Sequence, residues 1–182
     1  KYLLDVRATD SGGLTSTAQI AVEITPLAVK RQVWTGIPGN DIVNLTSIPS
    51  YPNSPNSTTY IPFFETPVDS ADNYGQRLTG YIRAPETGSY TFWIASDDGG
   101  ELWLSTDQTP GRKRKIASVV GATGSREWGK FSSQKSIPIS LVGGRFYYVE
   151  ALHKEGGGGD NLAVSWSGPD FGQAMPGAPH VT

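Results

Sequence analysis

Hydrophobic and polar positions alternate with a period of two over much of this chain. Tyr90, Phe92 and Ile94 share one face of their segment, and the same alternation recurs at 146–151 and 162–166. Gly, Pro, Asn, Asp and Ser cluster between these segments. This arrangement is typical of antiparallel strands joined by turns. It predicts an all-β fold, an antiparallel β-sandwich with little helix.

The N-terminal residues form a separate unit in this pattern. Leu4, Val6 and Ala8 alternate in one segment, SGGLT provides a turn, and the apolar residues of TAQIAVEIT alternate in the next segment. We therefore predict an N-terminal β-hairpin, which in isolation is only marginally stable in water. The predicted units are the hairpin at 1–27, the β-sandwich at 28–170, and a tail or linker at 171–182.

Residues 34–68 show little regular alternation and hold six prolines. Proline removes a backbone donor and interrupts central strands, so this segment is expected to wrap the sandwich as a long extended loop. Apolar side chains are expected to anchor it: Trp34, Ile37, Leu45, Phe63 and Phe64.

Composition excludes several functional classes. The 182 residues carry a net charge of −2, which favours neither nucleic acid nor an acidic membrane surface as a partner. There are no cysteines, and no apolar run approaches a membrane span, so we expect no disulfide, thiolate site or membrane insertion. The chain begins at Lys1 without Met or a signal peptide, which indicates a piece of a larger multidomain protein.

Two loops carry the candidate chemistry. Asp97 and Asp98 follow an alternating strand and run into two glycines, and four glycines separate Glu155 from Asp160 before another strand. A sheet that places both loops at one end creates an anionic cup rich in oxygen atoms. Such a cup suits a hard cation, and Ca²⁺ is the expected cofactor.

Several strings of the chain resemble the PA14 domain family from about Val33 to Pro169. They include YGQRLTGYIRAPETGSYTFWIASDDGGELWLS and SIPISLVGGRFYYVEALHKEGGGGDNLAVSWSGP. The resemblance implies a β-sandwich module of surface proteins that in many members binds carbohydrate through calcium. Upstream, VRATDSGGLTSTAQIAVEI resembles the last two strands of a cadherin-like repeat, in which Asp10 is expected to cap a turn.

The two aspartates cannot converge on one ion from a regular strand, because neighbouring side chains point to opposite faces. In sugar-binding relatives of the family a cis peptide joins them, and the resemblance implies the same bond between Asp97 and Asp98. Glycine carbonyls of the second loop are expected to supply further ligands. The predicted metal ligands are Asp97, Asp98, Glu155, Gly157 and Asp160, and the predicted ligand-binding loop adds Gly156 and Gly158.

The favoured hypothesis is a non-catalytic, calcium-dependent carbohydrate-binding module of a secreted or cell-surface bacterial protein, an adhesin. One alternative is a structural spacer or protein-interaction module without ligand. Another is an accessory carbohydrate-binding domain of a glycoside-active enzyme. Adjacent acids in an exposed turn are the wrong arrangement for glycoside hydrolysis, so no enzymatic activity is expected.

Three further features are weaker candidates. Trp103 offers either a stacking face for a sugar ring or, more commonly for an aromatic in a strand, a core side chain. The basic run Arg112–Lys115 is interpreted as a solvated loop. His153 stands beside the glycine loop without a second histidine nearby, which argues against zinc.

Overall fold

A computed structural model describes residues 2–22 and 28–176 of the chain. Regular structure in this part is almost entirely β, with one short α-helix, α1 (Ile42–Thr46). No helix among the described residues is long and apolar enough to cross a membrane. The strands are β1 (Tyr2–Thr9), β2 (Thr15–Val22), β3 (Val29–Thr35), β4 (Ser57–Ile61), β5 (Tyr74–Arg83), β6 (Gly88–Asp97), β7 (Gly99–Ser105), β8 (Lys113–Val119), β9 (Ile139–Leu141), β10 (Phe146–Glu155), β11 (Asn161–Gly168) and β12 (Phe171–Ala174).

Two antiparallel sheets form the body of the domain. The six-stranded sheet has the order β4-β3-β5-β10-β7-β8, and the four-stranded sheet has the order β12-β11-β6-β9. The longest pairing joins β10 to β5, from Phe146 opposite Arg83 to Glu155 opposite Tyr74. The predicted antiparallel β-sandwich is confirmed.

The core lies between the sheets and uses one face of each central strand. Phe92 and Ile94 of β6 are fully buried there, as the period of two predicts. Strands β10 and β11 contribute their own alternate residues to the same cluster, namely Tyr147, Val149, Ala151, Leu162, Val164 and Trp166. Burial of these apolar side chains from both sheets is the main stabilising contribution to the fold.

The hairpin predicted at the N-terminus is present as β1 and β2, paired from Tyr2 opposite Val22 to Thr9 opposite Thr15. Asp10 caps its turn, because its Oδ1 accepts backbone N–H bonds of 2.9 Å from Gly12 and from Leu14. Residues 23–27, where the second strand was predicted to end, lie outside the described part. The cadherin-like repeat stays a prediction.

The expectation of one long loop over 34–68 is wrong in two places. Strand β4 pairs with β3 along the sheet edge, and helix α1 lies between them in the chain. Four of the five β4 residues are exposed, so the strand carries no alternation, and a helix of one turn is too short to show a period. Three of the expected anchors, Trp34, Ile37 and Leu45, form a second buried cluster. Phe64 joins the main core, whereas Phe63 is only half-buried.

The C-terminal sequence also contributes to the sandwich. Residues 171–174, predicted to belong to a tail, form β12 and pair with β11. The ring of Phe171 lies 5.2 Å from that of Trp166 and 6.1 Å from that of Tyr90, measured between centroids. A four-residue strand that follows a turn carries too little pattern to be recognised without these aromatic contacts. The sheet therefore extends to Ala174.

The packing of Phe171 can be tested by truncation. We expect Phe171→Ala to lower the free energy of unfolding by about 1–3 kcal/mol, because it removes a large ring from an aromatic cluster. Gln173→Ala on the same strand is the matched control, since Gln173 is exposed, and its effect is expected to stay within about 0.5 kcal/mol. Urea denaturation measures both. Equal effects of the two substitutions would show that β12 does not pack on the sandwich.

Candidate functional site

The candidate site lies where the chain passes from one sheet to the other. Asp97 ends β6 and pairs with Asn161 of the four-stranded sheet. Gly99 begins β7 and pairs with Lys154 of the six-stranded sheet. The peptide bond between Asp97 and Asp98 is cis, as the resemblance implied. The crossing therefore places both aspartates at the junction of the two sheets.

Glu155, the last residue of β10, meets this crossing. Its Oε2 accepts a hydrogen bond of 3.0 Å from the backbone N–H of Asp98. In return, Oδ2 of Asp98 accepts a bond of 3.1 Å from the backbone N–H of Gly156. One carboxylate oxygen from each of Asp97, Asp98 and Glu155 lies within 4.8 Å of the others. The structure thus brings three of the predicted metal ligands together.

The pKa values of Asp97 and Glu155 are raised within this cluster. Burial, followed by the charges of Asp98 and Asp97, raises the pKa of Glu155 from 4.5 to about 7. Burial and the charge of Asp98 also raise the pKa of Asp97, while Lys130 acts in the opposite direction. Oε1 of Glu155 is buried and has no hydrogen-bond partner among the described residues. The cluster therefore has little positive charge near it, and one of its carboxylate oxygens is free to bind a ligand.

His153 fixes the position of the Asp97 backbone through a hydrogen bond. Its ring is fully buried, and Nε2 lies 2.6 Å from the carbonyl oxygen of Asp97 while Nδ1 lies 2.7 Å from Nε2 of Gln76. Because a carbonyl only accepts, Nε2 carries the proton and Nδ1 accepts from the Gln76 amide. Arg31 donates in turn to Oε1 of Gln76 at 2.6 Å. Burial lowers the pKa of His153 to about 4, so the ring stays neutral and both nitrogens serve to position the crossing.

Two glycines allow Asn40 to approach closely at this point. A Cβ at Gly99 would lie 2.7 Å from the carbonyl oxygen of Asn40, and one at Gly156 would lie 2.1 Å from Oδ1 of Asn40. Gly99 N–H also donates to that carbonyl at 3.2 Å. Asn40 therefore contacts both loops of the site. Sequence reasoning missed it, because it lies in a turn far from either acidic string.

A second group of acids surrounds the glycine loop. Oδ2 of Asp160 accepts backbone N–H bonds of 2.8 Å from Ser70 and 2.9 Å from Ala71, and its Oδ1 is buried without a partner in the described part of the chain. Asp72 accepts from the backbone N–H of Gly158 at 3.1 Å. Asp160 is thus committed in part to the 69–72 loop, outside the three-carboxylate group.

Residues Asp69 and Asp72 were not singled out from the sequence. Asp69 has a positive φ of 52°, and its Oδ1 would lie 3.2 Å from a Cβ at Gly159. The only signal was an acidic turn, DSADN, after the proline-rich segment. Its proximity to the glycine loop follows from pairing between distant strands, which no local pattern reveals.

Trp103 does not belong to the core, although that was the more common expectation for a strand aromatic. It is half-buried on the outer face of the six-stranded sheet, and its Nε1 donates to Glu101 at 3.1 Å. Five positions of extended chain separate it from Asp98, which corresponds to about 17 Å. Trp103 therefore does not line the carboxylate cluster.

Two antiparallel sheets, with an acidic site where the ends of β6 and β10 meet at their junction, define a β-sandwich domain with a candidate binding site at the strand ends. The sequence profile of the PA14 domain family matches residues 51–178, which is most of the chain. The protein belongs to the PA14 domain family.

Two curated proteins are similar to part of this chain. N-acetyl-beta-glucosaminyl-glycoprotein 4-beta-N-acetylgalactosaminyltransferase 1 of Mus musculus is 44% identical over 100 residues, 52% of this chain and 10% of that protein. Fibrocystin of Canis lupus familiaris is 38% identical over 86 residues, 42% of this chain and 2% of that protein. The chain thus spans a tenth or less of the length of these relatives.

Solved structures share the fold at low sequence identity. A PA14 sugar-binding domain from an RTX adhesin has a TM-score of 0.61 and 14% identity, with 82% of this chain and 94% of that chain covered. The A domain of epithelial adhesin 6 from Candida glabrata, in complex with Galb1-3GlcNAc, has a TM-score of 0.59 and 12% identity, with 85% and 86% covered. Both likenesses establish the sandwich architecture.

The close approach at Gly99 predicts a strong effect of one methyl group. We expect Gly99→Ala to lower the free energy of unfolding by about 1–3 kcal/mol, because the new Cβ meets backbone rather than a flexible side chain. Gly157→Ala is the matched control, since the nearest atom to its Cβ is 3.9 Å away, and it should leave stability unchanged or slightly higher. Denaturant titration compares them. Equal stabilities would contradict the close approach.

The raised pKa of Glu155 predicts how stability depends on pH in the presence of a chelator. Between pH 4.5 and about 7 the folded chain holds a proton on Glu155 that the unfolded chain has released. The contribution of this residue to stability is therefore complete at low pH and is lost as the pH rises through about 7. The difference in melting temperature between the parent protein and Glu155→Gln should change across this window. A constant difference from pH 4 to pH 8 would show that Glu155 titrates normally.

Proposed function

We propose that this protein is a calcium-dependent carbohydrate-binding module of a secreted or cell-surface protein, acting in adhesion. The observation that carries the proposal is the group of three carboxylate oxygens, from Asp97, Asp98 and Glu155, within 4.8 Å of one another. The unpartnered, buried Oε1 of Glu155 is a second observation that favours a cation there.

The donor set fits calcium better than a transition metal. Ca²⁺ takes six to eight oxygen ligands in a flexible geometry, and the group offers carboxylate oxygens only. His153, whose ring bonds to the backbone of Asp97, has both ring nitrogens in hydrogen bonds. Asp97, Asp98 and Glu155 would hold the ion, with the carbonyl of Gly157 and Oδ1 of Asp160 as further candidate ligands.

Sugar recognition follows from the chemistry of such an ion. Calcium held by part of its ligand shell leaves positions that two vicinal hydroxyls can fill, and the carboxylates can accept the hydroxyl hydrogens. The 120–131 loop borders the cluster, because Thr123 forms hydrogen bonds with the backbone of Ser96, the residue before Asp97. The glycine loop borders the cluster as well, since a Cβ at Gly156 would lie 3.4 Å from Oδ2 of Asp98. Similar structures that are described as sugar-binding domains or sugar complexes of adhesins support this class of ligand.

The second candidate function is an accessory domain within a glycan-modifying enzyme. It is favoured by the 44% identity to 100 residues of an N-acetylgalactosaminyltransferase, of which the match covers 10%. Such a domain would bind the glycan while another part of the chain acts on it, and the proposed calcium site would serve both roles equally.

Calcium binding is tested by thermal melting and calorimetry with and without a chelator. A ligand that binds only the folded state adds about 2.7 kcal/mol of stability at a hundredfold excess over Kd. We expect this gain for the parent protein and for Asp170→Asn, which removes an exposed carboxylate from the turn between β11 and β12, outside the candidate site. Asp98→Asn should lose it, because the amide keeps the shape but not the charge. Equal melting temperatures of the parent protein with calcium and with chelator, and no heat of binding, would refute the site.

Carbohydrate binding is tested on a glycan array with the same three proteins. A polar site of this kind leaves much of the sugar in water, so we expect a weak Kd of about 1 mM per site, strengthened by multiple copies. Binding should require calcium and disappear in Asp98→Asn. Calcium-independent binding would place the sugar elsewhere, and calcium binding without any glycan would favour a structural spacer.

A further inference from the structure

A second concave site lies at the open edge of the sandwich, where β8 ends one sheet and β9 ends the other. The cleft has a volume of about 570 Å³, which is in the range of small-molecule sites. Its apolar lining includes Leu104, Ile116, Ala117, Ile137 and Ile139. Ile116 and Ile139 pack against the core, so the cleft continues the apolar interior to the surface.

The basic run beside this cleft is not a solvated loop, because β8 begins at Lys113. Three of its four cations have acidic partners. Arg112 pairs with Asp107 at 2.7 Å, Lys115 pairs with Glu101 at 2.9 Å, and Lys113 pairs with the buried Glu150.

Arg114 is the exception in this run. It lies opposite Leu104 in the strand register and lines the cleft, whereas its neighbours pair with acids. Arg114 is exposed and has no ion pair or hydrogen-bond acceptor within the described residues. Lys115 and Lys135 also line the cleft, and none of the described residues that line it is acidic. The cleft therefore combines an apolar floor with a cationic rim.

The edge of β8 is unsuited to pairing with another strand. The register shifts between Leu102 and Trp103, so that Ile116 is an extra residue on β8. Bulges and charged side chains are features that protect sheet edges from strand addition. The concave shape and the single unpaired guanidinium favour a small ligand instead, and a guanidinium matches a carboxylate through two parallel hydrogen bonds.

We propose that this cleft binds a single-chain anionic amphiphile, namely a fatty-acid carboxylate. The acyl chain lies against Leu104, Ile116 and Ile139, and the carboxylate pairs with Arg114. Leu104 is five positions along β7 from Gly99, or about 17 Å, so this site is separate from the carboxylate cluster. Binding at the cleft needs no calcium.

The test uses decanoate, below its micelle concentration, as the probe in calorimetric titrations that include a chelator. We expect saturable binding at one site, and a loss of about tenfold or more in affinity for Arg114→Gln, because hydrogen bonds to charged groups contribute strongly. Arg112→Gln is the matched control, since it removes the same charge from an exposed pair outside the cleft, and should change affinity by less than about twofold. Ile137→Asp adds a carboxylate to the rim at an exposed position and should also weaken binding.

Two further ligands distinguish the contribution of the head group from that of the acyl chain. Decyltrimethylammonium, with the same chain and opposite charge, and acetate, with the head group alone, are both expected not to bind saturably. The proposal is overturned if decanoate does not bind, if Arg114→Gln and Arg112→Gln bind it equally, or if the cationic amphiphile binds as well. Binding of an alternating Glu-Val peptide or of phosphatidylglycerol vesicles in place of decanoate would also overturn it, in favour of strand addition or a membrane surface.

Discussion

The crossing of the chain between its two sheets at residues 97–99 is the constraint on which the candidate site depends. At this point Asn40 leaves no room for a side chain at Gly99 or Gly156, because its backbone carbonyl lies against Gly99 and its side-chain amide lies against Gly156. The backbone N–H of Asp98 donates to the carboxylate of Glu155 and the backbone N–H of Gly156 donates to that of Asp98, and these two bonds fix the same geometry. The acids are therefore held by the main chain rather than by their own side-chain packing.

The basic side chains near this crossing do not neutralise its acids. Lys154 is fully buried and donates to the carbonyl oxygens of Gly39 and Glu155, so its ammonium group stabilises backbone rather than pairing with a carboxylate. Burial lowers the pKa of Lys154, which the charges of Glu155 and Asp98 partly oppose. His153 is neutral. Asp97 and Asp98 are half-buried and Glu155 is fully buried, and little positive charge from the described side chains balances them. This is the electrostatic condition under which a divalent ion is stabilising.

Strands with a buried face were predictable from the sequence, because alternation is a direct record of which side is buried. Phe92 and Ile94 illustrate this, and the cis bond at Asp97 followed from family resemblance. Strand β4 was missed, since it is held by backbone pairing and is exposed on both sides. The contributions of Asn40 and Asp72 were missed for another reason: they reach the site through folding of distant segments.

The same long separations have a kinetic consequence. Asp98 and Glu155 are 57 positions apart, and Ser70 and Asp160 are 90 positions apart. Contacts between residues so distant in sequence form only after the loss of chain entropy for the intervening segments, and so they are slow. The three-carboxylate group therefore does not exist in any partly folded hairpin. A cation that requires it cannot nucleate folding and acts only by slowing the unfolding of the finished domain.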